Sequence, residues 1–161
     1  MSDTDNATPP DGFEAVPTGL GFTDNLQPLF RRVTEQGAQL GLLVGESHIK
    51  MMGFCHGAVL MCLADIAAAS AINTAAGKRA GSPTINLAVD FISAAKRGQW
   101  IQSRADHVSL KRRFGFCSGI IEGPEGIVAS FNGTFYLPDH DGVWKGPKHD
   151  GGGVLGAGPG E

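Results

Sequence analysis

Residues 56–77, HGAVLMCLADIAAASAINTAAG, form an apolar run with no proline and a single charge, Asp65. The length of the run and its Ala and Leu content predict a helix rather than a strand, with Gly77 as the residue that closes it. A helix this apolar on every side is expected to be buried, so a carboxylate nearly two turns inside it costs free energy unless it is paired, hydrogen-bonded or used. After this run the period changes. Residues 84–93 alternate, placing Ile85, Leu87, Val89 and Phe91 on one face of a strand. Residues 99–108, 114–122 and 127–137 are further strand candidates. Arg97-Gly98 and Gly123-Pro124-Glu125-Gly126 read as turns between antiparallel neighbours. Before the central run, residues 24–35 suggest a short helix capped by Thr23 or Asp24, and residues 39–49 a strand.

The order is then helix, strand, long buried helix and a four-strand meander. This is an α+β pattern with the helices on one side of an antiparallel sheet. Five strands curled about the central helix cover only one side of it. The uncovered side predicts a second subunit, and so a homodimer at least.

Composition narrows the picture without redirecting it. The 161 residues suggest one domain over residues 13–138, with an N-terminal tail (1–12) expected to be disordered and a Gly/Pro-rich tail at 139–161. The second tail contains G-x-G-x-x-G at Gly151, Gly153 and Gly156, but no strand precedes it and no helix follows, so it does not read as a dinucleotide site. Thirteen Lys and Arg against sixteen Asp and Glu leave a formal charge of −3, which provides no general attraction to nucleic acid or to an anionic membrane. The acidic N-terminus lacks the layout of a signal peptide, and the central acid argues against a membrane span. Cys55, Cys62 and Cys117 form no C-x-x-C pair, which fits a reduced, cytoplasmic protein. The histidines show no ligand spacing, and no metal is expected.

Several residues carry candidate chemistry. Asp65 is either a working carboxylate or a structural ion-pair partner. Cys55 beside His56 suggests a thiol nucleophile only weakly, because neighbours at a helix entry point apart. His56 could cap the helix through its own backbone bonds, and Gly57 could serve close packing alone.

With these features in place, the chain resembles the hotdog-fold acyl-CoA thioesterases, specifically the PaaI-like branch. The resemblance covers roughly residues 26–137. It rests on Gly53-Phe54-Cys55-His56-Gly57 entering the helix, Leu63-Ala64-Asp65 within it and Thr84-Ile85-Asn86-Leu87 opening the next strand. The run from Asp90 to Gly98 (DFISAAKRG) and Gly133-Thr134-Phe135 continue it. The resemblance implies a curved antiparallel sheet wrapped around the long helix, two subunits joined edge to edge, and dimers that pair into tetramers. It implies that Gly57 offers its N–H to a thioester carbonyl and that Asp65 of the other subunit is the catalytic carboxylate. His56 would orient, and Thr84 would hold the water.

Two positions depart from the pattern of the relatives. Ala58 stands where many have a second glycine. Lys50 stands where an asparagine is usual, and could pair with Asp65 or bind a phosphate. Phe54 and Met61, with Met51 and Met52, could shape an adaptable acyl pocket. Lys111, Arg112 and Arg113 could meet the phosphates of coenzyme A or simply blunt a strand edge.

Hydrolysis of a thioester builds negative charge on oxygen, and free N–H groups at a helix N-terminus stabilise such charge. Asp65 would act as general base or as direct nucleophile, the water route being favoured. No cofactor beyond the substrate's own coenzyme A is implied. A non-catalytic acyl-CoA-binding module and a hotdog enoyl-CoA hydratase are the alternatives. The acyl group is not legible.

Overall fold

Ten short and long elements build one antiparallel sheet around one helix in the computed structural model, which describes residues 8–78 and 81–139. The strands are β1 (Glu14–Ala15), β2 (Leu29–Thr34), β3 (Gly37–Leu43), β4 (Thr84–Phe91), β5 (Trp100–Lys111), β6 (Phe114–Gly123) and β7 (Gly126–Tyr136). Two 3-10 turns lie at Gly21–Leu26 and Glu46–His48, and the helix α1 spans Gly57–Ala75. The sheet order is β1-β2-β3-β5-β6-β7-β4, all neighbours antiparallel. The α+β class and the wrapped-helix architecture are as expected. Much of each tail (residues 1–7 and 140–161), including the glycine motif at 151–156, lies outside the described residues.

The helix ends where its sequence says it should. At the start, His56 sits in extended conformation and its Nδ1 accepts the Ala58 N–H at 3.0 Å, an N-cap made by an imidazole. At the finish, Gly77 takes φ +65°, its N–H reaches the Thr74 carbonyl and the Lys78 N–H reaches that of Asn73. That pair of bonds is a Schellman closure, which needs a residue at ease with positive φ.

Leu60, Leu63, Ala64, Ala67, Ala68, Ala71 and Ile72 face the sheet and are buried. They meet Leu40, Leu42, Ile101, Ile121 and Phe135 from the strands. Burying each large aliphatic side chain contributes about 1.5–3 kcal/mol, so this seam dominates the fold's stability. Although α1 is long and apolar enough to cross a membrane by length and composition, half of it is buried inside the fold.

Small residues let the helix and sheet approach. A Cβ on Gly37 would lie 2.8 Å from the Ala71 Cα, so only glycine fits there. Just beyond, β3 and β5 separate, their pairing confined to Gly41, Leu42 and Leu43. Two buried serines bond the freed backbone: Ser70 Oγ accepts the Ala38 N–H and Ser103 Oγ the Leu40 N–H, each at 2.9 Å.

Three expectations require correction. Residues 24–35 are not a helix: the turn at Gly21–Leu26 gives way to strand β2. Pro28 is the reason, because it forces Gln27 into an extended conformation and cannot continue a helical ladder. Asp24, a proposed cap, instead accepts from the Gly19 and Leu20 N–H groups in the preceding loop. The strands after α1 are not a four-strand meander either. β5, β6 and β7 are hairpin-linked, but β4 lies beyond β7, at the edge. The segment around Arg97-Gly98 is therefore a crossing and not a tight turn between neighbours. Its Ala95 carbonyl accepts the Cys55 N–H, and its Ile92 and Ser93 N–H groups reach Val128. Finally, the sheet has seven strands rather than five.

Candidate active site

On α1, residues 57, 61 and 65 recur every four positions and so share one stripe. This stripe faces away from the sheet's centre: Met61 is 42% exposed, while Gly57 and Asp65 are half-buried. The inner face of β4 runs alongside. Leu87 and Val89 pack on the core from it, and its two ends flank the stripe. At one end the Thr84 hydroxyl donates to Asp65 Oδ1 at 2.6 Å. At the other, the Phe91 ring lies against Gly57, so close that a Cβ there would sit 3.1 Å from Cζ.

The first turn of α1 leaves one donor over. The Ala58 N–H is held by the His56 ring, and those of Val59 and Leu60 reach the His56 carbonyl at 3.0 and 3.4 Å. The Gly57 N–H has no acceptor among the described residues, at the end of the helix where the dipole favours negative charge. The entry is braced from below by His48, whose carbonyl accepts the His56 N–H at 2.8 Å. His48 itself is buried, Nδ1 accepting from Gly45 N–H and Nε2 facing the Leu26 carbonyl at 3.1 Å, which assigns the proton to Nε2. Burial pushes its pKa below the ordinary 6.5, against the backbone bonds that favour the charged form.

Asp65 makes no ion pair among the described residues, and Lys50 in particular does not reach it within the subunit. Lys50 is exposed at the start of a turn closed by the Gly53 N–H on its carbonyl, with Met51 and Met52 exposed at the tip. Phe54, half-buried, is bridged to Lys50 on one side and Lys96 on the other. Arg112 and Arg113 form the β5–β6 turn, Arg112 at φ 52°. Arg113 is engaged by the Tyr136 hydroxyl at 3.0 Å and Asp139 at 2.5 Å. That hairpin lies by the far end of α1, where Gly115 meets Ile72, so one subunit does not gather the two arginines with Gly57.

The thiols do not compete for the role of nucleophile. Burial raises Cys55 and Cys117 to about 11, and burial followed by the Asp65 charge raises Cys62.

The geometry thus gathers Asp65 with Thr84, and His56 with Gly57, as two half-sites on one stripe. Sequence reasoning did not single out Phe91 as a site residue. Its alternation with Leu87 and Val89 made it look like core, and only its place at the strand end, beside a glycine, distinguishes it.

One sheet around one long helix, with an acid and a free helix N-terminal N–H on the open stripe, defines a hotdog-fold enzyme. The sequence pattern of the thioesterase superfamily matches residues 52–129. A protein of Pseudomonas aeruginosa named as a candidate esterase is 29% identical over 130 residues, spanning 80% of this chain and 97% of its own. The structure of a mutant of the phenylacetic acid degradation protein PaaI from Thermus thermophilus superposes with a TM-score of 0.64. It is 27% identical and covers 73% of this chain and 98% of its own. The Escherichia coli PaaI protein shares the fold at 23% identity and TM-score 0.63, over 72% of this chain and 83% of its own. The thioesterase-superfamily pattern, the fold and these relatives together support a PaaI-like hotdog thioester hydrolase.

Proposed function

We propose that the protein hydrolyses acyl-CoA thioesters at sites shared between two subunits. The observation that carries this reading is the bond from Thr84 to Asp65 Oδ1, on the same open stripe as the unsatisfied Gly57 N–H. The two groups are eight residues apart, about 12 Å along the axis, too far to act on one carbonyl. A two-fold axis near Met61 would bring Gly57 of one subunit to the partner's Asp65, and by symmetry make the second site as well. The unpaired edge of β4 and the exposed side chains of Ile85 and Met61 support such a partner.

In this scheme the thioester oxygen accepts from the Gly57 N–H, and the positive end of α1 stabilises the charge that develops there. His56 fixes the turn that presents this donor. Thr84 occupies Oδ1 of Asp65 and leaves Oδ2 for a water, which the hydroxyl's lone pairs also help to hold. Asp65 takes the water's proton as the water oxygen bonds to the carbonyl carbon. The C–S bond then breaks, the thiolate departs and the proton returns to it. Lys50, exposed in the turn before Phe54, suits the anionic tail of coenzyme A on the loop side of the helix start, whereas the Lys96 ammonium is ion-paired with Glu125 at 3.5 Å.

Mixing inactive variants tests the shared site. Asp65→Asn and Gly57→Pro are each expected to be inactive alone. Equal mixtures, refolded or co-expressed, regain about one quarter of parental thiol release, because half the dimers then hold one intact site. No recovery in mixtures that form mixed dimers overturns the two-subunit scheme.

A further inference from the structure

We infer that Phe91 is the specificity wall of this site: its ring receives the acyl group of whatever thioester binds the Gly57 N–H, and selects apolar acyl chains. The inference rests on the reading above and extends it to the substrate class. Because residue 57 has no Cβ, the Phe91 ring lies directly on the backbone that carries the free donor, with Cζ and Cε1 3.1 and 3.2 Å from where a Cβ would be. Ring and donor therefore form one continuous surface. The ring is nonetheless 55% exposed, which leaves apolar area to be covered by a ligand.

A carbonyl held at the Gly57 N–H has two substituents, and the site is asymmetric around it. The loop side holds the exposed Lys50, whose backbone bonds Phe54 just before the helix start, which suits phosphates. The strand side holds Phe91, then Val89, both hydrocarbon. The acyl group accordingly lies on the strand side, against Phe91. A charged acyl chain would lose its hydration there without a partner, and an acetyl group would leave the ring uncovered. Since Phe91 packs on Gly57 and Thr84 bonds Asp65, any pairing that brings Gly57 to the partner's Asp65 carries the ring into the same site.

The test compares kcat/KM for hexanoyl-CoA, benzoyl-CoA and acetyl-CoA in the parent, Phe91→Ala and Phe91→Leu. The parent is expected to prefer the first two. In Phe91→Ala the hexanoyl-to-acetyl ratio falls at least tenfold. In Phe91→Leu, which keeps bulk but loses the ring, the benzoyl-to-hexanoyl ratio falls at least threefold, and this variant stands in if Phe91→Ala does not fold. Ratios unchanged within twofold, with turnover still abolished by Asp65→Asn, overturn this inference and leave the thioesterase reading intact. A parent that hydrolyses none of the three thioesters overturns both.

Discussion

Thr84 donates its hydroxyl to Asp65 at 2.6 Å, so the edge strand and the central helix are joined at the carboxylate proposed to do the chemistry. The bond fixes one carboxylate oxygen and leaves the other for water. Replacing Asp65 by Asn removes the base while keeping size and the ability to accept from Thr84. Turnover of the best acyl-CoA is expected to fall by a factor on the order of 10²–10⁴, with KM little changed. Thr84→Val is expected to cost roughly tenfold in kcat, and Thr84→Ser to restore it. Thiol release under saturating substrate measures both.

Gly57 offers a separation of sterics from hydrogen bonding. Gly57→Pro deletes the free N–H at a position where proline suits a helix start, and His56 already has the extended conformation a following proline requires. Gly57→Ala keeps the N–H and crowds only the Phe91 ring, which is free to shift. Loss of about 10²–10³ in kcat for the proline variant, against less than about tenfold for alanine, is the expected result. Equal losses in the two would show that the donor is not used.

His56→Ala removes the cap on the Ala58 N–H and is expected to destabilise by about 1 kcal/mol. His56→Asn is expected to recover most of that. Urea unfolding of the three proteins, read by circular dichroism, gives the comparison.

Stability should decline on mild acidification because of His48. Its folded pKa lies below 6.5, so the fold holds the neutral ring. Above pH 6.5 both folded and unfolded chains carry it neutral and its contribution is complete. As pH falls below that value the unfolded chain binds the proton first, and stability is lost until the folded pKa is passed. The urea midpoint of the parent is expected to drop more between pH 7.5 and 5.5 than that of His48→Asn, whose amide can still accept the Gly45 N–H.

The contrast between α1 and its surroundings explains what was legible in the chain. The helix carries local signals at both ends, His56-Gly57 and Gly77, and its boundaries follow from them. β5, β6 and β7 are likewise set by alternation and short turns. The place of β4 is not local. Thr84–Phe91 reads as the next strand in line, yet its partner is the last strand in the sequence, and nothing in its own residues encodes that choice. Residues 24–35 misled because the cap signal at Thr23 and Asp24 outweighed one proline. At the site, Asp65 stood out as a lone charge in an apolar run, and the resemblance brought in Gly57 and Thr84. Phe91 did not stand out, since a strand phenylalanine gives no sign of the glycine it will lie against.

The edge position of β4 also decides when the site can exist at all. Thr84 is held in register by Phe135, which a ribosome adds only after the rest of the sheet has been made. A chain cut short between β4 and β7 would keep both Asp65 and Thr84 yet lose the strand that holds β4 against the sheet. A stop codon far downstream of every proposed catalytic residue is thus as silencing as one within the helix itself.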